Sequence, residues 1–411
     1  MLRMSQYPFH TLKATGATEE SESNNLLVQA GYIRQEIAGA YNYLPLGIKV
    51  LDNIKKIIKK HLEAMGSFEI QMTALWAREH WEKTGRDTMS ILFKVPFSDG
   101  RYNFLNPTHE ELVTPLIGEF IKSYKDLPVS VFQTQTKFRN EKRAKSGILR
   151  GREFLMKDMY SFHVSQEDLD RYYEIAIATY HAIFRELGIG DDTYITYASG
   201  GTFSKYSHEF QTLTPLGEDL IYVDKERKVA LNKEIIDDSD VKEEFKDYHF
   251  EEAKGSEVWN IFKLGTKFTK PFDVSFTDNN GENKEILMWC YGIWVSRTMG
   301  IIAEKMKDDK WLVRPENIAP YDVYVVVIGD EKIYEEALSL VDLLEKQGIS
   351  VIYDDRSISP GMKLKDSELF GIPARIVVSE KSIAAGGYEY QKRSTGEKKM
   401  LGKGDLVKLF G

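Results

Sequence analysis

VSVFQTQTKFRNEKRAKSGILRGREFLMKDMYSFHV, residues 129–164, holds the pattern on which the fold turns. Its ends, VSVFQTQTKF (129–138) and REFLMKDMYSFHV (152–164), are rich in β-branched and aromatic residues, which suit a pleated, half-buried surface. The segment between them, RNEKRAKSGILRG, is polar, basic and glycine-containing. Two antiparallel strands joined by a long loop are expected, and long loops in compact domains are mostly functional or disordered.

Upstream, Leu46 to Met65 carries apolar residues at helical spacing (Ile48, Leu51, Ile54, Ile58, Leu62), lysines opposite, and Gly66 as a stop signal. FEIQMTAL reads as extended, RYNFL (101–105) as a short strand, and Pro107 can open the next helix at its first turn. After Asp224 the chain becomes charge-dense and poor in core residues, so 224–256 is read as a short surface insertion, partly disordered. DVSF and EILMWCYGI return it to the core. Past Pro315 apolar runs alternate with amphipathic helices (YDVYVVVIG, ISVIYDD, ARIVVS), the grammar of an α/β domain with a mostly parallel sheet. The expected division is 1–316 and 317–411.

The bulk numbers exclude several classes. A chain of 411 residues exceeds one core, and 42% hydrophobic with 29% charged residues is a soluble globular composition. No run approaches the roughly 20 apolar residues of a membrane span, and the N-terminus has no apolar secretory core. The single cysteine, Cys290, permits neither an internal disulfide nor a cysteine zinc site, which fits a reducing cytoplasm. A net charge of −8 argues against a generic nucleic-acid binder but allows local basic patches.

In KFRNE, Arg139 ends a strand and Glu141 faces the same side while the chain stays extended. The arginine can fork onto a carboxylate or phosphate, and the glutamate can accept from an amine or hold Mg²⁺. A weak surface ion pair is the competing reading. The basic loop (Lys142, Arg143, Lys145, Arg150, Arg152) favours a phosphate-rich ligand, and Phe154 is either a core ring or a base-stacking one. Thr108 and Glu110 in NPTHEE (106–111) suit helix capping about as well as ligand binding. His109 has no second histidine at ligand spacing, so a metal site is rejected. GGTFSKYSHEF (200–210) lacks the strand–helix frame of a phosphate loop.

The order of AGYIRQEIAGAYNYLPLGIKVL, HWEKTGR, NPTHEE, QTKFRNE…LRGREFLMKDMYSFH, SHEF, NIFKLGTKF, CYGI.VSR and DDRSISPGMKLKDSELFGIPARIVV resembles class II aminoacyl-tRNA synthetases, specifically prolyl-tRNA synthetases of bacterial type, along nearly the whole chain. The resemblance implies an α+β catalytic domain, an antiparallel sheet flanked by helices, followed by a C-terminal α/β anticodon-binding domain. It implies activation of L-proline with ATP and Mg²⁺, transfer to tRNA(Pro), and a cytoplasmic homodimer. It also implies roles. Arg139 and Arg297 carry catalysis. Arg139, Glu141, Arg150, Phe154, Lys263, Thr266 and Arg297 bind ATP, with Phe154 beneath adenine and Arg297 above it. Thr108, Glu110, Arg139, Asp158, Tyr160 and Phe268 surround proline, Glu110 and Asp158 facing its ammonium and Met156 and Phe162 walling its ring. Lys392, Arg393, Lys398 and Lys399 contact tRNA phosphates.

Three departures matter. The first-motif proline is Thr73 here, which bears on the dimer interface. Only about 35 residues stand between Asp219 and Glu257, where bacterial relatives often carry a large editing domain; that is too few for a domain of ordinary size. Trp259, Trp289 and Trp294 occupy positions the family usually fills with glycine, as do Trp311 and, less clearly, Trp76, whereas Trp81 matches a family tryptophan. Overpacking changes cost about 1–3 kcal/mol each. A gene in which UGA encodes glycine, translated with UGA as tryptophan, accounts for the pattern. If Trp294 is genuine, the alternative is a non-catalytic, synthetase-like tRNA-binding protein.

Overall fold

The computed structural model describes residues 1–12, 22–142, 144, 146–200, 206–215, 217–309 and 311–410. Arg143 and Lys145 of the basic loop, and 201–205 of the glycine-rich stretch, lie outside the described residues. The chain forms two compact units, one of 36–41 and 54–301, the other of 1–35, 42–53 and 302–411.

Among the described residues the first unit is built on a nine-stranded, largely antiparallel sheet. At its centre run Glu251–Gly265, Leu287–Ile293, Glu153–His163 and Val129–Phe138, each antiparallel to the next. The expected hairpin is therefore present, with Gln133 opposite Asp158 and Lys137 opposite Phe154. Side chains alternate across a strand, and here the alternation separates two environments. Lys157, Tyr291 and Trp259 face the helix Gln166–Glu186, meeting its Tyr180 or each other. Phe154, Met156, Asp158 and Tyr160 point to the other face, where ligand-sized space remains.

That helix forms because Leu169, Tyr173, Ala176, Tyr180, Ile183 and Phe184 recur on one buried face, and because the Ser165 hydroxyl caps it by accepting from the Asp168 amide. The helix expected at 46–65 is Pro45–Ala64. The helix after NPTHEE begins at Glu110, so Pro107 lies before its first turn and Thr108 does not cap it.

The segment expected to be partly disordered is ordered. Val229–Asn232 joins the main sheet beside Asp219–Asp224, a short helix covers Ser239–Glu244, and Leu231, Ile235, Val241 and Phe245 form a small buried cluster. Few apolar residues suffice there because the strands rest on an existing sheet.

In the second unit Val323–Ile328, Val351–Asp354 and Ala374–Ser379 are parallel, as the alternating pattern requires, and two antiparallel strands, Tyr388–Lys392 and Lys398–Leu401, complete one edge. The opposite edge is Leu2–Arg3, parallel to Val351–Asp354. The helix Glu331–Lys346 packs Ile333, Ala337, Leu340, Val341 and Leu344 against the sheet.

Candidate active site

A cavity of about 240 Å³ opens on the free face of the central strands. Thr108, Glu110, Arg139, Met156 and Trp294 line it, together with Arg86, Glu257, Asn260, Phe262, Cys290 and Gly292. Strand register explains the convergence: Gly292 lies opposite both Asp158 and Asn260, and Cys290 opposite Tyr160 and Phe262. The Met156 methyl occupies the space that a Cβ at Gly292 would enter, 2.2 Å from it, and a side chain there would turn that flexible methyl aside.

At one end of the cavity the Thr108 hydroxyl donates to the Glu110 carboxylate instead of accepting from a backbone amide as a helix cap would. Arg86 lies 3.8 Å from Glu110 and 2.8 Å from Glu111. Glu111 is fully buried, and burial lifts its pKa to about 7 despite Arg86. Burial and the nearby Glu110 carboxylate push the Cys290 thiol well above its usual range. Phe268 is buried beneath, with the Arg86 guanidinium 5.4 Å from its ring centre.

Asp158 lies deeper. Lys137 approaches it at 2.5 Å and Gln133 donates to it at 3.0 Å. The Lys137 ammonium also donates to Nδ1 of His109 at 2.6 Å, and the His109 amide donates to the Tyr160 hydroxyl at 3.1 Å. Burial first, and Lys137 second, hold the His109 pKa down to about 3, so His109 is a neutral structural histidine. Phe162 packs in the apolar cluster with Tyr160 and Phe268 rather than on the cavity wall.

Toward the other end Arg139 donates to the Pro107 carbonyl at 3.3 Å, its guanidinium 5.1 Å from the Phe154 ring centre. Burial lowers its pKa and the Glu257 carboxylate opposes that shift. Arg297, in the first turn of the helix Val295–Lys305, donates to the Leu149 carbonyl at 2.7 Å and the Glu257 carbonyl at 2.6 Å. Its guanidinium stands 3.6 Å from the centre of the Trp294 indole, whose other neighbour is the Phe154 ring, stacked at 4.0 Å and 30°. Glu141 pairs with Arg150 at 3.2 Å, and Arg150 reaches Glu218 at 3.7 Å.

Of the expected ATP-binding residues only Arg139 lines the cavity itself; Phe154 and Arg297 reach it through Trp294, Glu141 and Arg150 pair with each other off its lining, and Lys263 and Thr266 stand apart. Lys263 pairs across the sheet with Trp289, on the face carrying Tyr173, its ammonium 5.2 Å from the indole. Thr266 lies half-buried in the turn that follows, its carbonyl accepting from the Lys270 amide. Sequence reasoning gave no role to Arg86, Glu257, Asn260, Phe262 or Cys290. Period-2 spacing from Phe262 back through Asn260 carried a signal, once the partner strand is known. A further acidic group sits beside them: Glu209 accepts from Gln211 and Asn260, Gln211 also donates to Asp219, and burial with the Glu257 charge lifts Glu209 well above the carboxylate range.

In the second unit each basic candidate is already paired: Lys392 with Glu316, Arg393 with Asp308, Lys398 with Glu389 and Lys399 with Glu397. Only Arg393 among them is nearly buried, and it grips Asp308 with both terminal nitrogens.

Comparison with known proteins matches residues 93–306 to the tRNA synthetase class II core domain (G, H, P, S and T) and residues 322–410 to the anticodon binding domain. A proline–tRNA ligase of Wolbachia pipientis wMel is 35% identical, covering all of this chain and 99% of the relative. That of Persephonella marina is 32% identical over 97% and 98% respectively. The Persephonella alignment extends over 553 residues against 428 for Wolbachia, so the long insertion belongs to the former and is missing from this chain. Among solved structures, a Cryptosporidium parvum prolyl-tRNA synthetase complexed with halofuginone and AMPPNP superposes with a TM-score of 0.79 at 19% identity, over 97% of this chain and 78% of that one. A Giardia lamblia prolyl-tRNA synthetase in complex with prolyl-adenylate gives 0.77 at 21%, over 93% and 74%. With a class II core whose two motif strands and arginines build one cavity, and relatives alike from end to end, this chain belongs to the proline–tRNA ligases, without the large insertion.

Proposed function

We propose that the chain activates L-proline with ATP and transfers the prolyl group to tRNA(Pro). The observation that carries this is the meeting of Glu110, Thr108 and Arg139 in one cavity of about 240 Å³. Glu110 takes the secondary ammonium. Thr108 fixes the Glu110 carboxylate, and Asp158, Tyr160, Phe268 and Met156 shape the floor and wall. Asp158 has its charge met by Lys137, so its part is to hold the floor rigid.

Arg139 holds the proline carboxylate against the α-phosphate of ATP, with Arg297, Glu141, Arg150 and Phe154 placing the nucleotide. A carboxylate oxygen attacks the α-phosphorus in line, the new P–O bond forms, and the bond to pyrophosphate breaks. The attacking group is already ionised, so no general base is needed. The arginines stabilise charge as it moves onto the leaving oxygens. The tRNA ribose hydroxyl then attacks the carbonyl carbon and releases AMP.

Among the described residues no group of three or more His, Cys, Asp or Glu side chains is placed to cage a metal ion, and the Glu257 carboxylate lies 3.3 Å from Arg297, but one or two carboxylates are all that phosphate-bound Mg²⁺ requires. Glu209 and Glu257 would hold it, and it would supply charge neutralisation at the phosphates. Lys392, Lys398 and Lys399 contact tRNA phosphates by exchanging exposed carboxylate partners, a change of small cost, with Arg393 at the same edge. We assign catalysis to 1–316 and anticodon contact to 317–411, in a cytoplasmic homodimer. No helix among the described residues is long and apolar enough to cross a membrane.

A second reading, tRNA binding without adenylation, is favoured by the Trp294 ring stacked on Phe154. Proline-dependent ATP–pyrophosphate exchange, run on this chain and on Trp294→Gly, decides between them. Exchange in the variant supports the ligase site; its absence in both folded proteins supports the second reading.

A further inference from the structure

Trp294 occupies a place with two matched walls. One indole face rests on Phe154 at 4.0 Å and 30°, and the other carries the Arg297 guanidinium at 3.6 Å; Arg139 stands 5.4 Å away. An aromatic ring beneath and a guanidinium above is the arrangement that holds a flat, electron-rich heterocycle. An indole has the bicyclic outline of a purine. Yet nothing else about the indole looks purpose-built, since its N–H is buried with no hydrogen-bond partner.

The backbone of Trp294 is pinned. Its amide donates to the Val258 carbonyl at 3.1 Å, and its carbonyl accepts from the Thr298 amide at 2.9 Å and the Thr298 hydroxyl at 3.0 Å. The ring can therefore leave only by turning about its own side-chain bonds, with Phe154 on one side and Arg297, itself tied to Leu149 and Glu257, on the other. The remaining cavity, about 240 Å³, suits a proline-sized ligand, but it falls below the ~300–1,000 Å³ typical of larger small-molecule sites.

We infer that the Trp294 indole is an internal occupant of the nucleobase subsite, so that tryptophan at 294 weakens ATP binding at the ligase site while the proline site stays open. The inference rests on the reading of Phe154 and Arg297 as the base-binding pair. It makes residue 294 the determinant of nucleotide access. A side chain without a ring opens the subsite, and any aromatic side chain closes it.

The test is calorimetric titration of Mg·ATP into the full chain, Trp294→Gly, Trp294→Ala and Trp294→Phe, with stabilisation by L-proline recorded for each by thermal shift. Expected are proline stabilisation in all four, at least tenfold tighter ATP binding for the Gly and Ala forms than for the parent, and no gain for the Phe form. Two small replacements keep the test usable if one misfolds. Equal ATP affinity in parent and Trp294→Gly, or a Phe form as open as the Gly form, overturns the inference and leaves the ligase site standing. No ATP binding to any folded form overturns the nucleotide reading of Phe154 and Arg297, and the inference with it.

Discussion

Lys137 and Asp158 form a buried ion pair, 2.5 Å apart on neighbouring strands beneath the cavity that Glu110 and Arg139 line, with neither side chain reaching solvent. Such a pair is weak evidence of net stability, but removing one partner strands the other charge, at a cost of about 3–5 kcal/mol. Lys137→Met is expected to lose that much in urea denaturation. Lys137→Met with Asp158→Asn should lose less than Lys137→Met alone, because no charge is left unmatched. A single variant as stable as the parent would show that Asp158 is protonated or otherwise paired.

His109 makes the same cluster sensitive to acid. Its folded pKa, about 3, lies below the ordinary value of 6.5, because burial and Lys137 oppose a second proton. The unfolded chain therefore binds a proton that the folded chain excludes. The stabilising contribution is complete above pH 6.5 and is lost as pH falls toward 3. Between pH 7 and pH 5 the loss from this residue is about 2 kcal/mol. Stability curves at the two pH values, compared between the parent and His109→Gln, check this: the variant should be flatter by that amount, and equal slopes would remove His109 as the cause.

The hairpin of 129–164 was legible because strand formers bracket a basic loop, and the C-terminal unit because apolar runs alternate with amphipathic helices. Other features depended on what lies across the sheet. Thr108 reads equally well as a cap or a ligand group, since both uses need a hydroxyl; only the position of Glu110 separates them. Lys263 sits in a motif, yet its pairing with Trp289 turns it to the helix-covered face. Lys392 and Arg393 looked free in sequence because their partners, Glu316 and Asp308, lie tens of residues away, whereas Lys398 and Lys399 pair with carboxylates close by in the chain. The segment after Asp224 looked structureless because its four core residues are diluted by charge.

Arg139 and Arg297 should each matter to adenylation in a form whose nucleotide site is open. In the Trp294→Gly background, replacing either with Ala is expected to slow proline-dependent pyrophosphate exchange about a hundredfold or more, the effect of losing one charged transition-state contact worth roughly 3 kcal/mol. Glu110→Gln should act chiefly through the proline KM, because it removes the partner of the ammonium. Exchange that survives both arginine changes sinks the assignment of these residues.

Fidelity follows from the small cavity and the short segment after Asp224. A pocket for proline rejects alanine weakly, since each missing methylene is worth only ~1–3 kcal/mol. The segment 225–250 holds two short elements and a four-residue core, with no room for a hydrolytic domain. Preformed Ala-tRNA(Pro) incubated with the purified chain is expected to decay no faster than in buffer. Faster release of alanine would place an editing activity here after all.

The tryptophans make the last prediction. Trp311 has φ +109°, a backbone conformation that favours glycine and strains any side chain with a Cβ. Trp259 lies flat on Tyr180, 3.5 Å between ring centres, with its N–H buried and unpartnered. Trp294 fills the space between Phe154 and Arg297. Trp289 is buried between Tyr173 and the Lys263 ammonium. Backbone strain at 311 and a ring filling the space between Phe154 and Arg297 at 294 thus fall on residues that the family resemblance separately matched to glycine; a buried, unpartnered N–H does not single them out, since Trp81 has one too. Random substitution has no reason to choose the largest side chain at such positions, whereas a UGA codon read as tryptophan does. The gene is therefore expected to carry UGA at 259, 289, 294 and 311 and UGG at 81, and peptide mass spectrometry of the protein from its own cells should find glycine at the first four. Restoring Gly at 259, 289 and 294 together should raise both thermal stability and exchange activity above those of the tryptophan form. UGG at 259, 289 and 294 would refute the codon explanation and leave a tRNA-binding protein whose nucleotide site is closed by its own side chain.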